Sequence, residues 1–295
     1  MKHLTSLFAS LTLSLAACAT PETEVEEPPP ATCADTACDA NATCSDASGE
    51  PVCTCNAGFT GDGATCGDVD ECATGNACQA GNACVNAAGG FDCLPKSCSG
   101  VLANDPDAVD GPYTLYVGGN PAKPWEAFCA GMQLGAPVEY VPLVNVLADS
   151  NFSSYAAGGA SPGTNVKTSY LRLRIDPVTL AVQIGDQRFA VSSGSLNHAG
   201  GGPVTSMPYG VAANCLVATP GRANIDLRGT PFAIADTFTP GGSFEPALTN
   251  TSIDPSKQFV DLSGGGGCGW NASSGAPFDP YNTSLGTLQL AYVAE

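Results

Sequence analysis

The chain has 295 residues, with 10 basic and 28 acidic side chains and a formal net charge of −18 at pH 7. This balance excludes nucleic acid as a partner, because binding to phosphates needs clustered Lys and Arg. The 15 cysteines favour an oxidising, extracytoplasmic compartment, where disulfides form and persist.

The N-terminus has the organisation of an export signal. Lys2 provides a positive start, and residues 4–15 form an apolar stretch that is too short to span a bilayer as a finished helix. We therefore predict a signal peptide over residues 1–17.

The end of this signal resembles that of bacterial lipoproteins. The motif is Leu15-Ala16-Ala17-Cys18. The resemblance implies that Cys18 is acylated and that residues 18–32 form a lipid anchor and an acidic, Pro-rich linker. Because Ala19 follows the cysteine, the resemblance also favours an outer-membrane lipoprotein of a Gram-negative bacterium, facing the periplasm or the cell surface. Ordinary secretion after cleavage at a small residue is the alternative.

The next six cysteines have the spacing of an EGF-like module. They are Cys33, Cys38, Cys44, Cys53, Cys55 and Cys66. Spacing alone leaves many connectivities open. The resemblance to EGF modules implies that Cys33 pairs with Cys44, Cys38 with Cys53 and Cys55 with Cys66. We predict an EGF-like module over residues 33–66, without calcium, because no acidic residue closely precedes its first cysteine.

A second module, over residues 68–97, resembles calcium-binding EGF modules. Its motifs are Asp68-Val69-Asp70-Glu71-Cys72, then Cys84-Val85-Asn86, then Phe91 and Cys93. The resemblance implies that Cys72 pairs with Cys84 and Cys78 with Cys93. After Cys93 the chain lacks the C-x-C pair and the final loop of a complete module. The module is therefore predicted to be truncated after its fourth cysteine.

Oxygen donors near the start of the second module predict a calcium site, since calcium prefers carboxylate and carbonyl oxygens. The predicted ligands are the side chains of Asp68, Glu71 and Asn86 and, by resemblance, the carbonyls of Val69, Ala87 and Gly90. Extracellular modules bind calcium at about 10⁻⁴–10⁻³ M, which indicates a structural ion. Only Gly67 separates the two modules, so we expect the ion to stiffen their joint. The alternative is a group of solvated acids without a metal.

Residues 98–295 are predicted to form a larger β domain, because Gly, Pro, Ser and Thr are spread through them. Alternation in residues 170–175, a turn at 176–179 and a return through 180–184 predict a β-hairpin. Further strands are predicted at residues 113–117, 126–129, 139–144, 223–227, 259–262 and 288–293. No stretch predicts an amphipathic helix of three turns. The predicted fold is therefore mainly β, an all-β sandwich or an irregular β-rich domain after two small disulfide-rich modules.

The large domain resembles the GON domain, an ancillary domain of some secreted metalloproteases of the ADAMTS type. The matching phrases, in family order, are residues 110–116, 128–132, 139–143, 151–153, 173–176, 186–190, 210–215, 222–227 and 266–269. The resemblance implies a non-catalytic domain. This chain retains four of the family's cysteines, which suggests that Cys98 pairs with Cys129 and, by elimination, Cys215 with Cys268.

We predict that the protein is not an enzyme. A zinc protease site needs two histidines in an H-E-x-x-H motif, and the chain has only His3, in the signal, and His198. His198 follows Ser193 and Ser195 in a glycine-rich loop, and we interpret it as a solvated loop residue. The alternative is an accessory or hydrolytic protein related to secreted metalloproteases. Its candidate acids are Asp176, Asp186, Asp226, Asp236 and Glu245.

Together these features predict a calcium-binding, membrane-anchored lipoprotein that acts as a surface interaction or adhesion module. Its expected partners are the lipid bilayer, through Cys18, and an unidentified protein or glycan. A purely structural envelope protein is a third possibility.

Overall fold

A computed structural model of the chain describes residues 31–47, 49–75, 77–275 and 286–293. The predicted signal peptide and Cys18 lie outside the described residues. The chain divides into two compact units, Met1–Gly67 and Asp68–Glu295. Within the described ranges, no helix has both the length and the apolar character needed to cross a bilayer. The prediction of a mainly β fold is confirmed.

The first unit consists of short strands held together by disulfides. The strands are β1 (Ala42–Ser45), β2 (Val52–Cys55), β3 (Phe59–Gly61) and β4 (Cys66–Asp68), which form the pairs β1–β2 and β3–β4. Bonds join Cys33 to Cys44, Cys38 to Cys53 and Cys55 to Cys66. Among the described residues of this unit, Cys66 is the only buried apolar side chain. Disulfide bonds therefore provide the stability that so small a hydrophobic core cannot.

The second unit begins with the truncated module. A short 3-10 helix (Glu71–Thr74) precedes the hairpin of β5 (Asn82–Ala87) and β6 (Gly90–Pro95), and helix α1 (Cys98–Asn104) follows. Disulfides join Cys72 to Cys84 and Cys78 to Cys93. Ser97 is the N-cap of α1, and its side chain accepts a hydrogen bond from the N–H of Gly100.

Helix α1 packs directly against the truncated module. The backbones of Gly81 and Gly100 approach so closely that a Cβ atom on Gly81 would lie 2.7 Å from the nitrogen of Gly100. The buried side chain of Asn82 donates to the carbonyl of Gly100 (3.2 Å) and accepts from Asn104 (3.0 Å). A disulfide between Cys98 and Cys129 then joins α1 to the large domain. Residues that would form the last loop of a complete EGF module are thus replaced by a connection into the β domain.

The large domain contains two main sheets. Its strands are β7 (Gly111–Tyr116), β8 (Pro124–Ala130), β9 (Val138–Pro142), β10 (Phe152–Ala156), β11 (Val166–Tyr170), β12 (Arg172–Ile175), β13 (Ala181–Gln183), β14 (Ala190–Ser193), β15 (Leu196–Asn197), β16 (Pro203–Val204), β17 (Ala212–Asn214), β18 (Gly221–Asp226), β19 (Phe232–Ile234), β20 (Phe238–Phe244), β21 (Asn250–Ile253), β22 (Phe259–Gly264), β23 (Gly266–Ser273) and β24 (Thr287–Tyr292). A seven-stranded sheet has the order β19-β24-β13-β12-β9-β8-β7. A nine-stranded sheet has the order β20-β23-β17-β10-β18-β22-β21, with β11 paired to β10 and β14 to β11.

Side chains from both sheets form one hydrophobic core. Leu115 and Trp125 of the seven-stranded sheet belong to the same buried cluster as Tyr155 and Ile225 of the nine-stranded sheet. The ring of Trp125 packs edge-on against Phe232, with 5.3 Å between the ring centres. Full burial of a large apolar side chain stabilises a fold by about 1.5–3 kcal/mol. The larger domain can therefore fold with far fewer disulfides per residue than the small modules.

The predicted hairpin is present, but its first strand is shorter than the alternation indicates. Strands β12 and β13 pair antiparallel, with Ile175 opposite Val182. Tyr170, however, ends β11 in the nine-stranded sheet, and Arg172 begins β12 in the other sheet. Leu171 is 47% exposed at this crossing. The alternation predicted one strand because the chain changes sheet through a bend at Leu171, and no Gly or Pro marks that bend in the sequence.

We expect Gly100→Ala to lower the free energy of unfolding by about 1–3 kcal/mol, because the new methyl group would collide with the carbonyl oxygen of Gly81. Denaturant unfolding followed by tryptophan fluorescence measures this change. Gly111→Ala is the control, since a Cβ atom there would meet its nearest neighbours at 3.9 Å. Equal stability of the two variants would contradict the close approach of module and helix.

Glu139 on β9 should make stability depend on pH. Its side chain is 8% exposed and accepts from the N–H of Cys98 (2.7 Å). Burial raises the pKa of Glu139, against the opposing effect of that hydrogen bond. The folded state therefore favours the protonated acid, and ionisation costs stability as the pH rises from about 4.5 through the folded-state pKa.

We expect Glu139→Gln, which keeps an acceptor for Cys98, to be more stabilising relative to the wild type at pH 7 than at pH 4. Denaturant unfolding at both pH values measures the difference, and Glu126→Gln, on the exposed face of β8, is the control. A benefit that is equal at both pH values would contradict a penalty from ionisation.

Candidate calcium site

The start of the second unit places its acidic residues in different roles. Asp70 precedes the 3-10 helix in an extended conformation, and its carboxylate accepts from the N–H of Cys72 (3.0 Å). This hydrogen bond satisfies a backbone donor at the beginning of the helix. Asp70 is therefore a capping residue, whereas Asp68 and Glu71 on either side of it are available for other contacts.

Asp68 is held against the β5–β6 hairpin by two hydrogen bonds. Its Oδ2 accepts from Nδ2 of Asn86 (2.7 Å), and its Oδ1 accepts from the N–H of Gly89 (2.6 Å). These donors, the N–H of Gly89 first and the Asn86 amide second, lower the pKa of Asp68 from its ordinary value. The carboxylate is thus kept ionised beside a carboxamide that offers an oxygen donor of its own.

The Glu71 carboxylate is incompletely satisfied. Its Oε2 is buried and has no hydrogen-bond partner among the described residues. Buried polar atoms are nearly always paired, and an unpaired carboxylate oxygen is costly unless a cation or water binds it. This orphaned oxygen fits a divalent cation near the beginning of the 3-10 helix.

The three residues predicted to contribute carbonyl groups lie at the edges of the same region. Val69 is exposed between Asp68 and the capping residue. Ala87 and Gly90 form the last pair of the β5–β6 hairpin, next to a turn in which Gly89 has φ 81°. The turn brings the N–H of Gly89 to Asp68, and a side chain at Gly89 would strain this backbone conformation. Sequence reasoning did not include Gly89, although a glycine in a two-residue hairpin turn was the available signal.

Asp68, Asn86 and the hairpin turn are in direct contact, and Glu71 contributes the orphaned oxygen. The atoms predicted to ligate the metal are all oxygens, the type of ligand that calcium prefers and that zinc or copper sites use less often. Calcium is the metal of this module. Asp68, Glu71 and Asn86 would hold it through side chains, and the carbonyls of Val69, Ala87 and Gly90 remain predicted ligands.

The candidate acids of the hydrolytic alternative all have structural partners. The hydrogen bonds and ion pairs join Asp176 to the N–H of Thr179 (2.9 Å), Asp186 to Tyr140 (3.2 Å) and Arg174 (3.6 Å), Asp226 to Arg228 (2.6 Å), Asp236 to the N–H of Gln289 (2.8 Å) and Glu245 to the N–H of Ala247 (3.5 Å). These acids therefore stabilise turns, form ion pairs with arginines, and cap the 3-10 helix that follows Glu245.

The glycine-rich surroundings of His198 predicted a solvated loop residue, but the structure places its ring against a buried tyrosine. Its Nδ1 lies 2.6 Å from the hydroxyl of buried Tyr155, which also lies 2.9 Å from Sγ of Cys215. Cys215 is bonded to Cys268. Burial lowers the pKa of His198, which favours the neutral imidazole. The prediction was wrong because Tyr155 is 43 residues away in the sequence.

Comparison with known families agrees with the arrangement of the small modules. Residues 32–66 match the EGF domain family, and residues 68–108 match the calcium-binding EGF domain family. The second match extends through helix α1. The chain thus contains an EGF domain and a calcium-binding EGF domain, and its many disulfides indicate an exported protein.

The chain is also similar to a curated relative, "A disintegrin and metalloproteinase with thrombospondin motifs 20" of Mus musculus. The identity is 26% over 205 residues, and the match covers 60% of this chain and 10% of the relative. The chain therefore spans about a tenth of the length of the curated protein that it matches.

We expect Asp68→Asn to weaken calcium binding at least about tenfold, because a charge-bearing ligand is replaced by a neutral one. Isothermal titration with calcium chloride at constant ionic strength measures this loss. Asp70→Asn is the matched control, since Asp70 acts as a cap and asparagine also caps helices. An equal loss in the two variants would show that net charge, and not ligation by Asp68, controls binding.

Proposed function

We propose that this protein is a lipid-anchored, non-catalytic adhesion module of the cell envelope, in which a calcium-binding EGF module supports a β domain that binds a protein or glycan at a surface. The single observation that carries the proposal is the direct attachment of the calcium module to the β domain through Gly81, Asn82 and Gly100. A module that is fixed in this way serves as a rigid base for the domain it carries.

The calcium site supports the same role. The ligands at Asp68 and Glu71 come from the beginning of the second unit, and those at Asn86 and Gly90 come from its first hairpin. An ion bound by both segments joins the start of the unit to its hairpin and reduces the conformational freedom of the chain there. Segments that are ordered before binding lose less entropy when a ligand binds, so calcium favours stable surface attachment.

Anchoring rests on the motif that ends at Cys18 and on the polar linker that follows. Each buried methylene group of an acyl chain contributes about 0.8 kcal/mol, and stable anchoring takes more than one chain. Linkers rich in Pro and charged residues act in general as extended spacers, which suits the tether that we propose over residues 18–32. Ala19 after the cysteine, by resemblance to Gram-negative lipoproteins, supports attachment to the outer membrane, with the domain facing the periplasm or the cell surface.

A second candidate function is that of an accessory protein related to secreted metalloproteases, because the curated relative is named as a metalloproteinase. The similarity covers a tenth of that protein, and this chain lacks the H-E-x-x-H motif on which a zinc protease of that kind depends. A non-catalytic role is favoured on these grounds. Incubation of the full chain with peptide and glycan substrate libraries tests it, and turnover of any substrate would support the second candidate.

To test adhesion, the mature chain should be passed over immobilised matrix proteins and glycans, with calcium or with a chelator. We expect retention on at least one surface, reduced by the chelator and by Asp68→Asn but not by Asp70→Asn. Failure to bind any surface would contradict adhesion. Retention that is equal with calcium and with chelator would contradict the support that we assign to the ion.

A further inference from the structure

The large domain has a cavity on the outer face of its nine-stranded sheet, where β10, β11, β18 and β22 run side by side. Its volume is about 480 Å³, within the usual range for small-ligand sites of about 300–1,000 Å³. The lining residues that bear on its chemistry are Phe152, Ser154, Asn165, Lys167, Arg222 and Asp261, and Asp149, Thr219 and Pro220 lie at its margins. The lining thus combines charged, amide and hydroxyl groups with one aromatic ring.

Three of these residues form a row across neighbouring strands. Lys167 of β11 lies opposite Ser154 of β10, and Ser154 is bonded to Arg222 of β18 on its other side. Neighbouring strands are about 4.8 Å apart, so the backbones of Lys167 and Arg222 are separated by about 10 Å. The two cationic side chains therefore start from strands on either side of a hydroxyl group.

Hydrogen bonds hold several polar groups of the cavity in place. Ser154 Oγ accepts from the N–H of Arg222 (2.9 Å) and donates to its carbonyl (2.8 Å). Asn165 Oδ1 accepts from the N–H of Ala157 (2.8 Å). Asp261 accepts from Asn224 (2.8 Å), whose side chain is buried between the strands. Groups that are oriented before a ligand arrives favour specific recognition over general adsorption.

The two cations of the cavity have different surroundings. Lys167 lies over the ring of Phe152 at 4.3 Å and near the carboxylate of Asp149 at 3.6 Å. Arg222 is exposed, and its guanidinium forms no ion pair with any of the residues that the structure describes. By contrast, Arg174, Arg188 and Arg228 each lie within ion-pair distance of an aspartate. In a chain with 28 acidic residues, this arginine is available for an external anion.

The acids of the cavity restrict which anion fits. Asp149 lies 3.6 Å from Lys167 and Asp261 lines the same cavity, and both carboxylates would repel a multiply charged group such as a phosphate. They would instead accept hydrogen bonds from hydroxyl groups. A ligand that carries one carboxylate and several hydroxyls satisfies both the cations and the acids.

We propose that this cavity binds a saccharide that carries a carboxylate, such as a uronic acid unit. Arg222 holds the carboxylate through two parallel hydrogen bonds, the geometry in which arginine recognises carboxylates best. Lys167 adds positive charge on the other side of the ring, and Asn165 and Asp261 bind its hydroxyls. This inference rests on the proposed adhesion function and names its class of ligand.

The test is a titration of the full chain with tetragalacturonate and with its methyl ester, which has the same rings without the charge. A chelator in the buffer removes calcium bridging between the oligosaccharides. We expect the acid to bind at least about tenfold more tightly than the ester, and Arg222→Gln to weaken binding of the acid by about the same factor. The control is Arg188→Gln, which removes an arginine paired with Asp110 outside the cavity lining and should leave affinity within about twofold.

Lys167→Gln provides a second variant of the cavity in case Arg222→Gln does not fold, and circular dichroism checks the fold of each. No binding of tetragalacturonate, equal binding of acid and ester, or an equal loss in the Arg188 variant would each overturn the proposal. If these results accompany continued retention on matrix surfaces, the adhesion function stands and the cavity is not its site. Loss of surface retention with intact uronate binding would instead overturn adhesion alone.

Discussion

The close approach of Gly81 to Gly100 is the constraint on which the second unit depends. Two backbone segments can meet at this distance only where neither residue has a side chain, and Asn82 then satisfies the carbonyl of Gly100. The disulfide from Cys98 to Cys129 continues the connection into the seven-stranded sheet. A truncated EGF module, which alone would lack its last disulfide, is thereby stabilised by the domain that follows it.

The carboxylates of this protein have different structural roles. Asp70 caps a helix and Asp176 holds a turn, whereas Asp68 accepts hydrogen bonds from the β5–β6 hairpin and Glu71 has a buried oxygen with no hydrogen-bond partner among the described residues. The structure describes all five arginines, and four of them are engaged in ion pairs or lie over aromatic rings. Against this background an exposed arginine beside a lysine in one cavity is a specific feature. The net negative charge of the rest of the chain disfavours anion binding in general, so this arginine is set apart from it.

Local spacing and composition predicted a large part of the architecture. The cysteine intervals and the acidic residues around Cys72 indicated the small modules, because disulfide frameworks and calcium ligands are set by short sequence distances. All six isolated strands predicted in the large domain are present, since alternation and β-branched residues report burial on one face of a sheet. The disulfides of the small modules and the bond from Cys98 to Cys129 are those that the family resemblances imply, and Cys215 pairs with Cys268 as elimination predicted.

The sequence by itself determined what depends on neighbouring residues: the mainly β fold, the modular N-terminal region, the oxidised compartment and the calcium-binding character of the second module. Only the tertiary structure decided what depends on residues far apart in the chain. It showed that the strand predicted through Leu171 changes sheet, that His198 meets Tyr155, and that Lys167, Ser154 and Arg222 form one row. The physical reason is that hydrogen bonds between strands and packing across a core join residues without regard to their separation, so no local pattern in the sequence records them.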